Sequence, residues 1–224
     1  MKISSGSRVL DNLLDGGYSA GMLNTIYGPA ASGKTTCCLL AAIACYKNNK
    51  KTVFVDTENG FSVERLRQLT QDFRNVLDNL ILIKVDSFKD QIKKFEFLDK
   101  LFPNPKIGLI VVDTIGAQYR AARNKDVKTI NQGLLEQIEV LRRIYKENNT
   151  IILITDQVYA KLEDKNKDSV NLVGGEIIRN RSKNLIQLQV LDKNRRKAIL
   201  EKSPDIKQIK EVVFEIREKG FNMV

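Results

Sequence analysis

Apolar residues along this 224-residue chain change period in a regular way. Leu23 to Tyr27, Thr52 to Val55, Leu80 to Val85, Ile107 to Val112 and Ile151 to Ile154 are short apolar runs, each of the length of one strand. Ile107 to Val112 has no polar break, the pattern of a strand covered on both faces. Between these runs the apolar positions recur at helical spacing. Ser7 opens a short helix through Val9, Leu10, Leu13 and Leu14, which Gly16-Gly17 stops. Thr35 to Tyr46 reads as a buried helix closed by the polar run Lys47 to Lys51, and Ser62 to Thr70 as a helix that opens on an N-cap. Another helix runs through Phe95, Leu98 and Leu101 until Pro103 and Pro105 end it. Ile130, Leu134, Ile138, Leu141 and Tyr145 mark the last of the series. Strands alternating with helices predict an α/β fold, a mostly parallel sheet flanked by helices.

After Thr155 the pattern breaks. Lys161 to Val170 is charged and aperiodic, which predicts a loop. Ile186, Leu188 and Val190 then alternate with Gln187 and Gln189, a turn at Asp192 to Arg196 leads into a second short strand, and Val212, Phe214 and Ile216 alternate again. These strands predict a C-terminal antiparallel extension. With no repeat and no long linker, residues 1–224 are expected to form a single domain.

Composition narrows the chemistry. There is no histidine, which removes nucleophiles that depend on an imidazole base and most zinc sites. Any catalysis must use carboxylates, Lys, Arg, hydroxyls, backbone amides or a bound ion. Thirty-seven Lys and Arg against 27 Asp and Glu give a net charge of +10. Such an excess favours a polyanionic partner, nucleic acid ahead of an acidic membrane surface, although a Lys-rich proteome would also make the chain basic. Cys37, Cys38 and Cys45 crowd one apolar segment with no second cluster, and read as small buried hydrophobes. Met1 to Ser7 lacks an apolar signal segment and Cys37 to Tyr46 is too short to span a bilayer, so a soluble cytoplasmic protein with no membrane partner is expected.

The decisive segment is Gly28-Pro29-Ala30-Ala31-Ser32-Gly33-Lys34-Thr35, followed by Thr36. It fits G-x-x-x-x-G-K-[ST] and lies between a predicted strand and a predicted helix. Its glycines let the backbone wrap phosphates, and its amides with the helix N-terminus supply positive potential. Lys34 would reach the β- and γ-phosphates, and the Thr35 hydroxyl would hold Mg²⁺. Asp113, at the tip of the strand Ile107 to Val112, is the expected carboxylate for that metal. Asp56-Thr57-Glu58 ends another strand at the same edge. Glu58 is the candidate base for an attacking water, and Asp56 is either a surface turn residue or a support behind the site. Gln157, just past Ile151 to Ile154, is the candidate γ-phosphate sensor.

Taken together, Ile3-Ser4-Ser5-Gly6-Ser7, Leu10-Asp11, Leu14, Gly16-Gly17, the phosphate loop, Val55-Asp56-Thr57-Glu58 with Glu64-Arg65-Leu66, Thr155-Asp156-Gln157-Val158 and Val173-Gly174-Gly175 resemble the RecA/RadA-type recombinase ATPases over essentially the whole chain. The chain is most similar to the short archaeal members, which begin at the ATPase core and lack the N-terminal helix-hairpin-helix domain. The resemblance implies a RecA-like core with ATP and Mg²⁺ as cofactors, Glu58 as the catalytic glutamate and Gln157 as the γ-phosphate-sensing glutamine. It implies that Arg65 packs on adenine. It also implies that Gln118 to Lys128 and Val158 to Gly174 are DNA-facing loops, with Arg120, Arg123, Lys125 and Lys128 as phosphate contacts in the first. Two positions depart from the family pattern. Asp156 stands where recombinases carry Asn, and the second loop holds Glu163, Asp164 and Asp168 among its lysines.

The implied role is an ATP- and DNA-binding protein of homologous recombination and repair, nucleoid-associated, with a preference for single-stranded DNA. It would assist a main recombinase through weak hydrolysis, and a homo-oligomer is compatible with the same pattern. An ATP-dependent binding switch with negligible turnover, or a KaiC-like or helicase-like ATPase of the same fold, stay open at this point.

Overall fold

The computed structural model describes residues 2–122, 126–160, 170–172, 174–204 and 208–224. Strand β1 (Lys2–Ile3), helix α1 (Arg8–Leu13) and strand β2 (Tyr18–Ser19) open the chain, β1 and β2 pairing antiparallel. The alternating part follows as β3 (Leu23–Gly28), α2 (Lys34–Lys47), β4 (Lys51–Asp56), α3 (Val63–Leu69), α4 (Phe73–Asp78), β5 (Leu80–Lys84) and α5 (Phe88–Lys100). It continues through β6 (Ile107–Asp113), α6 (Gly116–Ala122), α7 (Val127–Asn148) and β7 (Ile151–Ala160). Beyond these lie β8 (Val170–Leu172), α8 (Gly175–Arg181), β9 (Asn184–Val190), β10 (Arg195–Lys202), β11 (Lys210–Arg217) and β12 (Gly220–Met223).

The main sheet runs in the order β12-β11-β10-β9-β3-β7-β6-β4-β5, with β8 paired to β7 off this path. Strands β9, β3, β7, β6, β4 and β5 are mutually parallel. The antiparallel part is β10 to β12, so the expected extension begins one strand later than its sequence suggested: β9 joins the parallel sheet beside β3.

Period-two alternation splits the core into two layers. Phe54, Val111 and Leu153 enter one core with Cys37, Cys38, Leu39 and Cys45 of α2. Val53, Val55, Ile110, Val112, Ile152 and Ile154 enter the other, with Phe95 and Leu98 of α5 and Leu134, Ile138 and Leu141 of α7. All three cysteines are buried and free, as expected, and burial pushes the Cys37 and Cys38 thiols up into an unreactive range.

The structure departs from the sequence pattern elsewhere. Within the stretch 118–128, residues 118–122 and 127–128 are helical. Gly116–Ala122 forms α6, and α7 starts at Val127 because the Asp126 carboxylate accepts from the backbone N–H groups of Lys128 and Thr129. Strand β7 runs past Ile154 because Val158 to Ala160 pair with β8. The short elements α4, α8, β1, β2 and β12 carry too few periodic residues to be read from the chain alone. No helix among the described residues is long and apolar enough to cross a membrane.

Register fixes the functional edge. Gly28 pairs with Gln157, and Asp56 with Asp113, so four motifs far apart in sequence end at the C-terminal edge of the parallel strands.

Candidate functional site

The phosphate loop joins β3 to α2. At Gly28 a Cβ would come within 2.4 Å of the Leu188 carbonyl oxygen on β9, so the loop leaves the sheet through a gap only glycine fits. Gly33 adopts φ 101° and caps α2 from the left-handed region, with no side chain closing the helix end. The first-turn amides of a 14-residue helix are therefore left for an anion. Ser32 Oγ is buried in the same loop with no hydrogen-bond partner.

Lys34 is 7% exposed, and its ammonium donates to the carbonyls of Gly28 at 2.9 Å and Pro29 at 2.8 Å. Burial lowers its pKa, while Asp113, Glu58 and Asp156 act in the opposite sense. Asp113 is 4% exposed, and its Oδ1 accepts from Thr155 Oγ1 at 2.6 Å. The Thr35 hydroxyl lies near enough to lower the pKa of this carboxylate, which brings the two expected metal residues together. Burial raises the Asp113 pKa, while both hydroxyls act in the opposite sense. One hydroxyl and one carboxylate suit Mg²⁺, which takes few protein ligands and leaves the rest of its shell to phosphates and water.

Asp56 supports the site from behind, since it is buried and organises the turn that carries Glu58. Its Oδ1 accepts from the N–H groups of Glu58 and Gly60, and its Oδ2 from that of Phe61. Thr57 Oγ1 donates to the Asp113 and Thr114 carbonyls. Glu58 is thereby held across from Gln157, whose Nε2 donates to both carboxylate oxygens at 3.0 and 2.9 Å. Gln157 Oε1 accepts from Arg120 Nη1 at 3.0 Å, and Gln118 Nε2 donates to the Thr57 carbonyl at 2.8 Å. Helix α6 thus touches both strand ends that carry the candidate chemistry.

Asp156 is fully buried one residue before Gln157. Its Oδ1 accepts from the Gln157 N–H at 2.9 Å, and Oδ2 has no partner. Burial pushes its carboxyl well above the usual carboxylate range, against the N–H contact of Gln157 and the charges of Lys34 and Arg120.

A cavity of about 530 Å³ opens over this edge, lined by Ala30 to Thr36, Glu58, Thr114 and Gln157. Its other wall is Lys193, Asn194, Arg196 and Ile216, none of which the motifs indicated. The signal available for them was the basic turn Lys193-Asn194-Arg195-Arg196 after an alternating strand, which becomes relevant only once β9 is known to lie beside β3. Arg65 does not line the cavity. Its guanidinium donates to the carbonyls of Arg217 and Glu218 and to Gln68 Oε1, bracing the β11–β12 turn next to Ile216. Arg120 sits against Gln157 and Lys128 in the first turn of α7. Arg123 and Lys125 lie outside the described residues, as does most of the second expected loop.

The Rad51 family model matches residues 1–224. The DNA repair and recombination protein RadB of Methanobrevibacter smithii is 35% identical over 223 residues, covering 98% of this chain and 94% of that protein. The protein of the same name from Thermococcus sibiricus is 32% identical over 97% of this chain and 93% of its own length. A crystal structure of the RadB recombinase superposes with a TM-score of 0.83 at 31% identity, covering 99% of both chains. Matched along its whole length by the family model and by RadB proteins end to end, the chain belongs to the Rad51 family.

Proposed function

We propose that this chain is an ATP- and Mg²⁺-binding, DNA-binding protein of homologous recombination and repair. It acts beside a main recombinase with weak ATP hydrolysis. The RadB relatives carry the name DNA repair and recombination protein, which supports the process. One observation carries the molecular reading: a single sheet edge gathers an uncapped helix N-terminus, Lys34, Thr35, Glu58 and Gln157 around one cavity, with Asp113 buried at the same edge beside Thr114. That donor set fits a nucleoside triphosphate with its metal. Loop amides and Lys34 would hold phosphate oxygens, while Thr35 and Asp113 would hold Mg²⁺. When bound, the metal supplies charge neutralisation at the phosphates. Glu58, kept in place by the Asp56 turn, is the group suited to take a proton from water.

A binding switch with negligible turnover is the second reading, and the engagement of both Glu58 oxygens by Gln157 favours it. The contact restrains the direction in which Glu58 can meet a water, while each oxygen keeps a free lone pair.

Equilibrium binding of Mg²⁺–ATP to Lys34→Ala tests the site. Loss of a charged donor predicts about 10- to 100-fold weaker binding. Full affinity in that variant overturns the phosphate-loop reading. Steady-state turnover of the unmodified protein, with and without DNA, separates the ATPase from the switch.

A further inference from the structure

Arg196 is a buried cation whose five hydrogen bonds all end on backbone carbonyls. It is 7% exposed. Its Nε and Nη2 donate to the Ala31 carbonyl at 3.1 and 3.0 Å, 165 residues away in the chain. Its Nη1 donates to the carbonyls of Asp192 at 2.8 Å, Arg195 at 3.0 Å and, more weakly, Lys193 at 3.4 Å. Among the described residues no carboxylate pairs with it. Burying an arginine without a counter-charge is unfavourable, and carbonyl dipoles offset that only in part.

What the guanidinium grips makes sense of it. Ala31 lies in the middle of the phosphate loop at φ 57°, a left-handed conformation that a residue with a Cβ does not hold without support. The planar fork takes the Ala31 carbonyl with two N–H groups on one side and the β9–β10 turn on the other, a span suited to arginine geometry. That turn is itself rigid. The Asp192 carboxylate accepts from the N–H groups of Asn194 and Arg195 and from the Arg195 side chain, which holds its pKa down at about 2. Asn194 in turn accepts from the Ile216 N–H, and the Ile216 side chain packs where a Cβ on Gly33 would fall. The C-terminal strands therefore form one wall of the phosphate cavity, with Arg196 as the strut between wall and loop.

We infer that Arg196 is the positioning residue of the phosphate loop: it fixes Ala31 for a bound polyphosphate, and the polyphosphate is the counter-charge that Arg196 lacks. This rests on the proposed nucleotide site and adds to it a residue outside the phosphate-loop motif.

The test uses the full chain with inorganic tripolyphosphate and Mg²⁺ as the probe, titrated across ionic strength for the unmodified protein, Arg196→Met and Arg196→Lys. Loss of charged hydrogen bonds predicts that Arg196→Met binds at least about tenfold more weakly. Its affinity should also fall less steeply with salt, because one cation near the anion is gone. Arg196→Lys should restore the steep salt dependence but not the full affinity, since one ammonium cannot grip Ala31 and the turn together. A role in packing alone would not separate the two variants by salt. Unmodified affinity and salt dependence in Arg196→Met, or equal losses in both variants with unchanged salt dependence, overturn the inference. If Arg196→Met does not fold, Arg196→Lys decides: weaker binding with the steep salt dependence supports the role, and unmodified affinity overturns it. If the unmodified protein binds no tripolyphosphate and no ATP, the nucleotide site itself fails.

Discussion

The Gln157 amide donates to both carboxylate oxygens of Glu58, at 3.0 and 2.9 Å, across 99 residues of chain. Two strand ends are thereby tied over the mouth of the phosphate cavity, and the tie continues to Arg120 through Gln157 Oε1. Glu58, Gln157 and Arg120 form one hydrogen-bonded line at the edge of the cavity.

The proposed function makes the Glu58 end of that line the one that sets turnover. Glu58→Gln keeps the shape and one acceptor for Gln157 but is not a base. Turnover of Mg²⁺–ATP should fall by about 10²- to 10⁴-fold, the range of a general base, while equilibrium ATP binding stays within experimental error of the unmodified protein. Unchanged turnover would remove Glu58 from the role.

Arg120 stands at the other end. A DNA phosphate offers its guanidinium a charge-assisted bond stronger than the neutral amide of Gln157, so the two compete for the same group. Removing the cation with Arg120→Ala should make log affinity for single-stranded DNA fall less steeply with log salt, by about 0.7 in slope for one phosphate contact. An unchanged slope would leave Arg120 as a partner of Gln157 alone.

Asp156 gives a pH signature. Its folded-state pKa is raised, so the folded protein keeps a proton that the unfolded chain releases above about pH 4. Stability contributed by this group is complete below that pH and declines as pH rises towards the folded-state value. Asp156→Asn carries no such proton. The variant should melt with the unmodified protein at pH 4 and increasingly above it as pH rises to 8, in paired thermal melts. A difference that is flat with pH would mean that Asp156 is ionised in the fold.

The phosphate loop could be read from the chain because its chemistry lies within eight consecutive positions, Gly28 to Thr35. Asp113, Glu58 and Gln157 could be placed with it because each follows an apolar run, and parallel strands end at one edge. Arg196, Lys193 and Ile216 could not. They reach the cavity only through the placement of β9 next to β3, a pairing between strands separated by most of the chain. Arg65, which the family pattern puts on adenine, also donates to the Arg217 and Glu218 carbonyls of the β11–β12 turn, a contact that the pattern did not indicate. Within the expected first loop, Gln118 to Ala122 and Val127 to Lys128 are helical, the latter because Asp126 caps α7, a local signal that the expectation of a loop overlooked.

The most direct test is a fluorescence-anisotropy titration of labelled single-stranded DNA across salt, with and without Mg²⁺–ATP. The proposed function predicts binding at low ionic strength, a linear fall in log affinity with log salt, and a shift of the whole line when Mg²⁺–ATP is present. No binding at low ionic strength, or binding indifferent to both salt and nucleotide, would contradict it.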